Sequence, residues 1–228
     1  MLYAIGDMHL SLGCDKPMDI FGGWDNYVDR LADGFSQLTD KDVCVICGDI
    51  SWGMSLEESI PDFMFIDKLP GKKIILKGNH DYWWTTATKI KNFFLNNSIS
   101  SISILNNNCF FYGDTAICGT RGWFYEEETG GEHDKKILNR ELMRLEASFR
   151  AAGSINTKLC FLHYPPIYND YICPEMIELM KRYNVKSCWY GHIHGPGIRF
   201  AVEREIDGIS YHFVSADHTG FKPVKVLD

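Results

Sequence analysis

Residues 43–49, Val43-Cys44-Val45-Ile46-Cys47-Gly48-Asp49, run five apolar side chains into a glycine and then a carboxylate. An unbroken apolar run of this length is what a strand buried on both faces of a parallel sheet requires. Gly48 allows the tight turn that follows, and Asp49 is delivered at the strand's end. The pattern recurs. Residues 2–5 precede Asp7-Met8-His9, residues 74–76 precede Gly78-Asn79-His80-Asp81, residues 159–162 precede His163, and residues 188–190 precede Gly191-His192-Ile193-His194. Ligands of open α/β sheets bind beyond the carboxyl ends of the strands. Such ends on one rim would gather imidazoles and carboxylates, the donors of a transition-metal centre.

Between these strands the periodicity turns helical. Residues 25–38 place Tyr27, Val28, Leu31, Phe35 and Leu38 on one stripe. Residues 55–69 open with a capping box, Ser55 and Glu58, and meet Pro61, where a break or restart is expected. A third helix is expected near residues 85–96, so this half reads β-α-β-α-β-α. Residues 101–105, 109–112 and 115–118 are short strand-like runs split by Asn106-Asn107-Asn108 and Gly113-Asp114, turn signals that predict hairpins. A longer helix over residues 134–152 carries Leu138, Leu142, Leu145 and Phe149, another covers residues 174–183, and residues 198–214 read as a terminal hairpin around Asp207-Gly208. No repeat, low-complexity tract or linker divides the sequence. The expected fold is α/β in four α-β-β-α layers, two mixed β-sheets in a sandwich flanked by helices, as a single domain over residues 1–228.

The 228 residues suffice to bury roughly 70–75% of the unfolded surface without disulfide staples. Most of the 8 cysteines fall inside expected strands, where a thiol behaves as a small hydrophobe. Cys44 and Cys47 have CxxC spacing, but on a strand residues three apart face opposite ways, so reduced core thiols are expected rather than a redox pair. No apolar run approaches the roughly 20 residues of a membrane span, and the N-terminus lacks a basic signal-peptide region, so a cytoplasmic protein is expected with no membrane partner. With 30 acidic against 23 basic residues and no basic cluster beyond pairs such as Lys72-Lys73, extended nucleic acid is not an expected partner.

Asp7 and His9 are two apart, so at a strand end both project to one side, as a bidentate metal clip requires. His192 and His194 repeat the spacing. Either pair alone fits a hydrogen-bonded turn equally well; two pairs, each beside a glycine and after a buried strand, favour a metal. Asp49 can bridge two cations, one oxygen to each, or cap the next helix. Asn79 offers a neutral oxygen but is also ordinary turn chemistry, and Asp81 is placed to orient an imidazole. Two divalent ions against Asp7, Asp49 and a bridging hydroxide leave one positive charge, which attracts a phosphate. His133, His212 and His218 have weaker context and read as surface or core residues, His218 in Asp217-His218-Thr219-Gly220 being the one to watch.

This ordered set of motifs, spanning residues 7–194, resembles the calcineurin-like metallophosphoesterase superfamily. The resemblance implies a helix-flanked β-sandwich with a binuclear centre that hydrolyses phosphoester bonds. It places Asp7, His9, Asp49 and His194 on the first metal and Asp49, Asn79, His163 and His192 on the second, with Asp49 bridging and His80 at the scissile ester. The protein serine/threonine phosphatases of this superfamily carry Gly-Asp-x-Val-Asp-Arg-Gly where this chain has Gly48-Asp49-Ile50-Ser51-Trp52-Gly53. The arginine is missing, and Asp81 stands where they usually have glutamate, so an enzyme of that branch is disfavoured. Arg121, in Gly119-Thr120-Arg121-Gly122-Trp123, is the candidate replacement for binding substrate, or a solvated loop arginine. Trp52, Trp83, Trp84 and Trp123 are placed to wall an aromatic pocket or to pack the core.

The expected cofactors are two divalent ions, Mn, Fe or Zn, since imidazole, carboxylate and amide donors suit these better than Ca or Mg. The expected reaction is attack of a metal-bridging hydroxide on a small phosphodiester or phosphomonoester, with His80, oriented by Asp81, as general acid. A nuclease and a non-catalytic metal-binding scaffold are the alternatives. Substrate choice is expected to depend on residues 125–133 and 165–173 and on the tryptophans.

Overall fold

Alternation along β1 (Leu2–Ile5) sends Leu2 and Ala4 to one face of a sheet and Tyr3 and Ile5 to the other, and all four are buried. The computed structural model, which describes residues 1–124 and 131–228, repeats this two-faced burial in β2 (Val43–Ile46) and β3 (Lys72–Ile75). The three strands pair in parallel, flanked by parallel β4 (Ile102–Ile104) and antiparallel β13 (Val224–Leu227). Helices α1 (Tyr27–Phe35), α2 (Ile60–Lys68) and α3 (Ala87–Asn96) supply Leu31, Phe35, Phe63, Ile66, Ile90 and Phe94 to the core against Tyr3, Ile5, Cys44, Ile46 and Ile75.

The second sheet has the order β11 (Glu205–Ile206), β12 (Ile209–Phe213), β10 (Val185–Tyr190), β7 (Thr157–Leu162), β6 (Thr115–Thr120), β5 (Phe110–Tyr112), parallel in the middle and antiparallel at both edges. Its outer face packs under α4 (Glu132–Ala151) and α5 (Pro174–Arg182). Between the sheets lie Leu2, Ala4, Val45, Cys47, Ile74 and Leu76 against Ile117, Leu159, Phe161, Trp189 and Val214. The architecture is therefore the expected four layers. Cys44 joins the outer core and Cys47 the inter-sheet core, as strand alternation requires, and all 8 thiols are free.

Four local readings change. Asn106-Asn107-Asn108 is not a hairpin turn, because β4 pairs with β3 and β5 with β6, so this run carries the chain from one sheet to the other. Asn108 Oδ1 accepts from Asn106 N at 2.6 Å and holds the crossing. Ser55 and Glu58 cap a turn, not a helix: Ser55 Oγ accepts from Glu58 N, but the Glu58 carboxylate takes Met54 N, and α2 starts at Ile60 with Pro61 in its first turn, where a missing N–H is harmless. On α4 the buried face includes Glu141 and Ser148, while Leu142 is half-buried. Ser148 Oγ accepts from Gly119 N at 3.0 Å and donates to Asn108 O at 2.6 Å, so polar residues of the helix satisfy backbone at the sheet. Residues 198–214 form the hairpin only over β11 and β12, preceded by a 3-10 turn, Gly195–Phe200, and residues 165–173 contain a small hairpin of their own, β8 (Ile167–Tyr168) with β9 (Tyr171–Ile172).

Both sheets end at the same rim. Gly6 N donates to Val214 O at 2.6 Å and Ala216 N to Gly6 O at 3.0 Å, which stitches the end of β1 to the segment after β12.

Candidate metal centre

At that rim the backbone itself is unusual. Asp7, His9, Asp49 and His192 all have left-handed φ, at 57°, 46°, 50° and 76°. For residues other than glycine this costs about 1–3 kcal/mol each, and such strain collects where function demands it. Strand alternation, expected from the spacing, is therefore not what aims Asp7 and His9 together; a left-handed turn does. Two glycines stand behind the carboxylates. A Cβ on Gly78 would lie 2.0 Å from Asp49 Oδ1, and one on Gly191 would lie 2.2 Å from Asp7 Oδ2.

The donor atoms converge in two groups, Asp7 with His9 and His194, and Asp49 with His163 and His192. In the first, His9 Nε2 is 3.1 Å from His194 Nε2, which is 3.6 Å from Asp7 Oδ1. In the second, Asn79 Oδ1 is 2.6 Å from His163 Nε2 and 3.0 Å from His192 Nδ1. Asp49 Oδ2 stands between the groups, 3.7 Å from His9 Nε2 and 3.5 Å from His163 Nε2. The two histidines of Gly191-His192-Ile193-His194 thus serve different groups and are not one bidentate clip; their spacing misleads because His192 is left-handed while His194, with φ −134°, is extended.

The outer nitrogens of two rings are already bonded. His163 Nδ1 lies 3.0 Å from Cys47 O, and His194 Nδ1 lies 3.0 Å from Asp217 Oδ1. A ring that donates from one nitrogen presents the lone pair of the other inward, the arrangement of metal-bound histidine. Asp7 is anchored by His192 N at 3.0 and 2.9 Å and by Ser215 Oγ at 2.7 Å.

Burial pushes the pKa of His163 down to about 4 and of His192 down to about 3, and drives His9 well below its ordinary value with help from His194. Burial works against charge on His194 too, yet its bonds to Asp217 and Asp7 push it up to about 10. Asp49 is raised by burial and then by Asp81 and Asp7. Burial also opposes the charge of Asp7, but the hydrogen bond with His194 and the nearby imidazoles hold it below the usual carboxylate range. His9, His163 and His192 are held neutral with their lone pairs beside crowded carboxylates, and His194 holds a proton where a cation would relieve the same crowding, so the donor set fits two metal ions.

His80 sits at the edge of this cluster, 4.4 Å between centroids from the Trp52 ring and 5.7 Å from His9; its Nδ1 lies 3.4 Å from Tyr82 Oη. Burial lowers its pKa. Asp81 does not orient it. The Asp81 carboxylate accepts from the backbone N–H of Asp49, Ile50, Ser51 and Gly78 and from Trp83 Nε1, at 2.7 to 3.3 Å, so it locks the two ligand loops to each other. Burial nonetheless lifts it to about 6 against those donors. Arg121 lies off the donor cluster, with Nη2 3.6 Å from Glu141 and its guanidinium 5.0 Å from the Trp123 ring centroid. Of the tryptophans, Trp52 stacks on His9 at 5.0 Å, whereas Trp83 is a buried donor to Asp81. His218 pairs with Glu203 at 3.2 Å. Residues 125–130 of the first expected specificity loop lie outside the described residues.

Sequence reasoning missed Asp217, Ser215 and Trp24. Trp24 lies 5.7 Å from both His9 and His194. The available signal for the other two was β12 itself, whose apolar Ile209, Tyr211 and Phe213 lead to Ser215 and Asp217 as a sixth strand end on the rim.

The family model for the calcineurin-like phosphoesterase matches residues 2–196. Among curated proteins none matches the chain. Among solved structures, the phosphopantetheinyl hydrolase of Mycobacterium tuberculosis aligns with a TM-score of 0.61 at 14% identity, over 94% of this chain and 88% of that one. A protein of unknown function from Aquifex aeolicus aligns with a TM-score of 0.50 at 16% identity, over 98% and 94%. At these identities the two structures speak for the fold alone.

Proposed function

Since the chain belongs to the calcineurin-like phosphoesterase family, we propose that it hydrolyses a small phosphorylated substrate, a phosphodiester or phosphomonoester, at a two-metal centre. The observation that carries this reading is the place of Asp49 Oδ2 between His9 Nε2 and His163 Nε2 at 3.7 and 3.5 Å, where one carboxylate serves both donor groups. Asp7, His9, Asp49 and His194 would hold one ion, and Asp49, Asn79, His163 and His192 the other. When bound, Mn, Fe or Zn would lower the pKa of water to give the nucleophile and neutralise charge on the phosphoryl oxygens.

The chain's own residues supply the rest. His163 and His194, fixed through Cys47 O and Asp217, hold their lone pairs in place so that no reorganisation accompanies turnover. His80, in its imidazolium form, would give the Nε2 proton to the leaving oxygen and end as the neutral ring, steadied by Trp52 and by Tyr82 Oη rather than by a carboxylate. Trp24 and Trp52 keep water from the His9 side. Arg121 binds substrate from the neighbouring wall. Among the described residues no helix is long and apolar enough to cross a membrane, and the proposed setting is the cytoplasm. The test is metal analysis of the purified protein together with hydrolysis of bis(p-nitrophenyl) phosphate after loading with Mn, Fe or Zn. Two ions per chain and metal-dependent release of nitrophenol are expected; no turnover with any of the three metals would overturn the reading.

A further inference from the structure

Beside the centre, a cavity of about 490 Å³ is lined by Lys77, Trp84, Arg121, Glu141 and Arg144. It shares a wall with the donor cluster. Lys77 is bonded directly to Gly78-Asn79, and the Arg121 carbonyl accepts from the N–H groups of His163 and Tyr164 at 3.1 and 2.8 Å.

The charges in this cavity do not balance. Glu141 is 1% exposed and already takes Thr120 Oγ1 and Arg144 Nη1, both at 2.6 Å, while Arg121 Nη2 stays at 3.6 Å. One carboxylate therefore faces three cations. Among the described residues Lys77 lies within ion-pair distance of no carboxylate, and the buried Arg121 Nε has no hydrogen-bond partner. Buried donors without a partner are rare in native proteins, and one beside an excess of cations is placed to be completed by a bound anion. Two guanidinium forks and an ammonium lining one cavity suit phosphate oxygens, and the hydroxyls of Thr85 and Thr86 on the same wall add neutral donors.

Resting on the phosphoesterase reading, we propose that this cavity is a second anion subsite. It takes a phosphoryl group of the substrate other than the one hydrolysed, which makes the substrate a small bisphosphorylated molecule. Glu141 is the positioning residue that holds Arg144 and steers Arg121.

The test is titration calorimetry on the Mn-loaded protein with methylphosphonate and with methane-, propane- and pentane-bisphosphonates, whose spacers sample the separation of the two anion sites. At least one bisphosphonate is expected to bind about tenfold or more tightly than methylphosphonate. That advantage should vanish in Arg144→Ala and in Lys77→Gln, and should largely return in Arg144→Lys. Chelation by the bisphosphonate alone would persist in all variants. Thermal melts check that each variant folds, which the partly exposed side chain of Arg144 favours. The proposal is overturned if no spacer gives an advantage, or if the advantage survives both substitutions. Turnover of bis(p-nitrophenyl) phosphate, measured on the same samples, separates the two claims. An active enzyme without bisphosphonate preference loses only the subsite, whereas an inactive one loses the phosphoesterase reading, and the binding data alone then decide whether the cavity holds an anion.

Discussion

The two donor groups are built from similar residues but held in different ways. His163 is wholly buried and tied to the backbone carbonyl of Cys47, and its partner Asp49 accepts the N–H of His80 through its other oxygen at 2.8 Å. His194 keeps 30% of its side chain exposed and is tied to another side chain, Asp217, on a loop at the rim. Backbone anchors cannot be lost by a point substitution; side-chain anchors can. By its histidine anchor the Asp49 group should therefore behave as a fixed part of the fold and the Asp7 group as the adjustable half, where exchange of a bound ion would be expected.

The largest expected effect lies where the halves meet. Asp49→Ala should remove both ions and all detectable turnover, measured by metal analysis and diester hydrolysis. Retention of one full equivalent would show that the halves are independent and would break the comparison at its centre.

His80→Ala should leave two metals per chain but lower kcat by about 10²–10⁴-fold on an ester with a poor leaving group. The loss should shrink with nitrophenyl leaving groups, which need no proton. Wild-type rates on the poor leaving group would remove His80 from the acid role and leave Tyr82 or solvent in its place.

Asp217→Asn sharpens the distinction itself. Asn can still accept a hydrogen bond but lacks the charge, so the affinity for one ion should fall about 10–100-fold while the second stays bound. Metal titration followed by calorimetry would resolve the two steps. If both affinities fell together, the side-chain anchor would be supporting the whole centre, and the contrast between the halves would be wrong.

Much of this is legible in the sequence because parallel strands buried on both faces announce themselves as continuous apolar runs, and the motifs sit at their ends. The layers follow from that pattern, and so does the convergence of Asp7, His9, Asp49, Asn79, His163, His192 and His194. What is not legible depends on torsions or on distant partners. Left-handed φ at Asp7 and His192 is only weakly signalled by the residue type, since most Asp and His residues are right-handed or extended, so spacing alone points to a clip of the wrong geometry. Asp81, next to His80, reads as an imidazole partner, yet the donors it serves include the N–H groups of residues 49–51, some 30 positions earlier. Asp217 resembles turn chemistry because its partner is 23 residues away. The Asn106–Asn108 run is polar and turn-like in either a hairpin or a sheet crossing, and only pairing decides.

The smallest expected effect is a control at the other end of the first sheet, away from both donor groups. Asp67 accepts Ser100 N at 3.0 Å, Ser101 N at 2.7 Å and Ser101 Oγ at 2.7 Å, joining α2 to the chain that enters β4. Burial raises its pKa, but these hydrogen bonds outweigh it and the folded value lies below the usual 3.8. A carboxyl depressed in the folded state stabilises it above the unfolded pKa, and that contribution is lost as pH falls through the folded value. Asp67→Asn should therefore cost about 1 kcal/mol of hydrogen bonding at neutral pH by urea unfolding, with the gap to wild type narrowing as the pH falls below the ordinary carboxyl range. Metal content and turnover should be untouched. If they changed, the ends of the sheet would be coupled, and the division into a fixed and an adjustable half could not be read from local anchors alone.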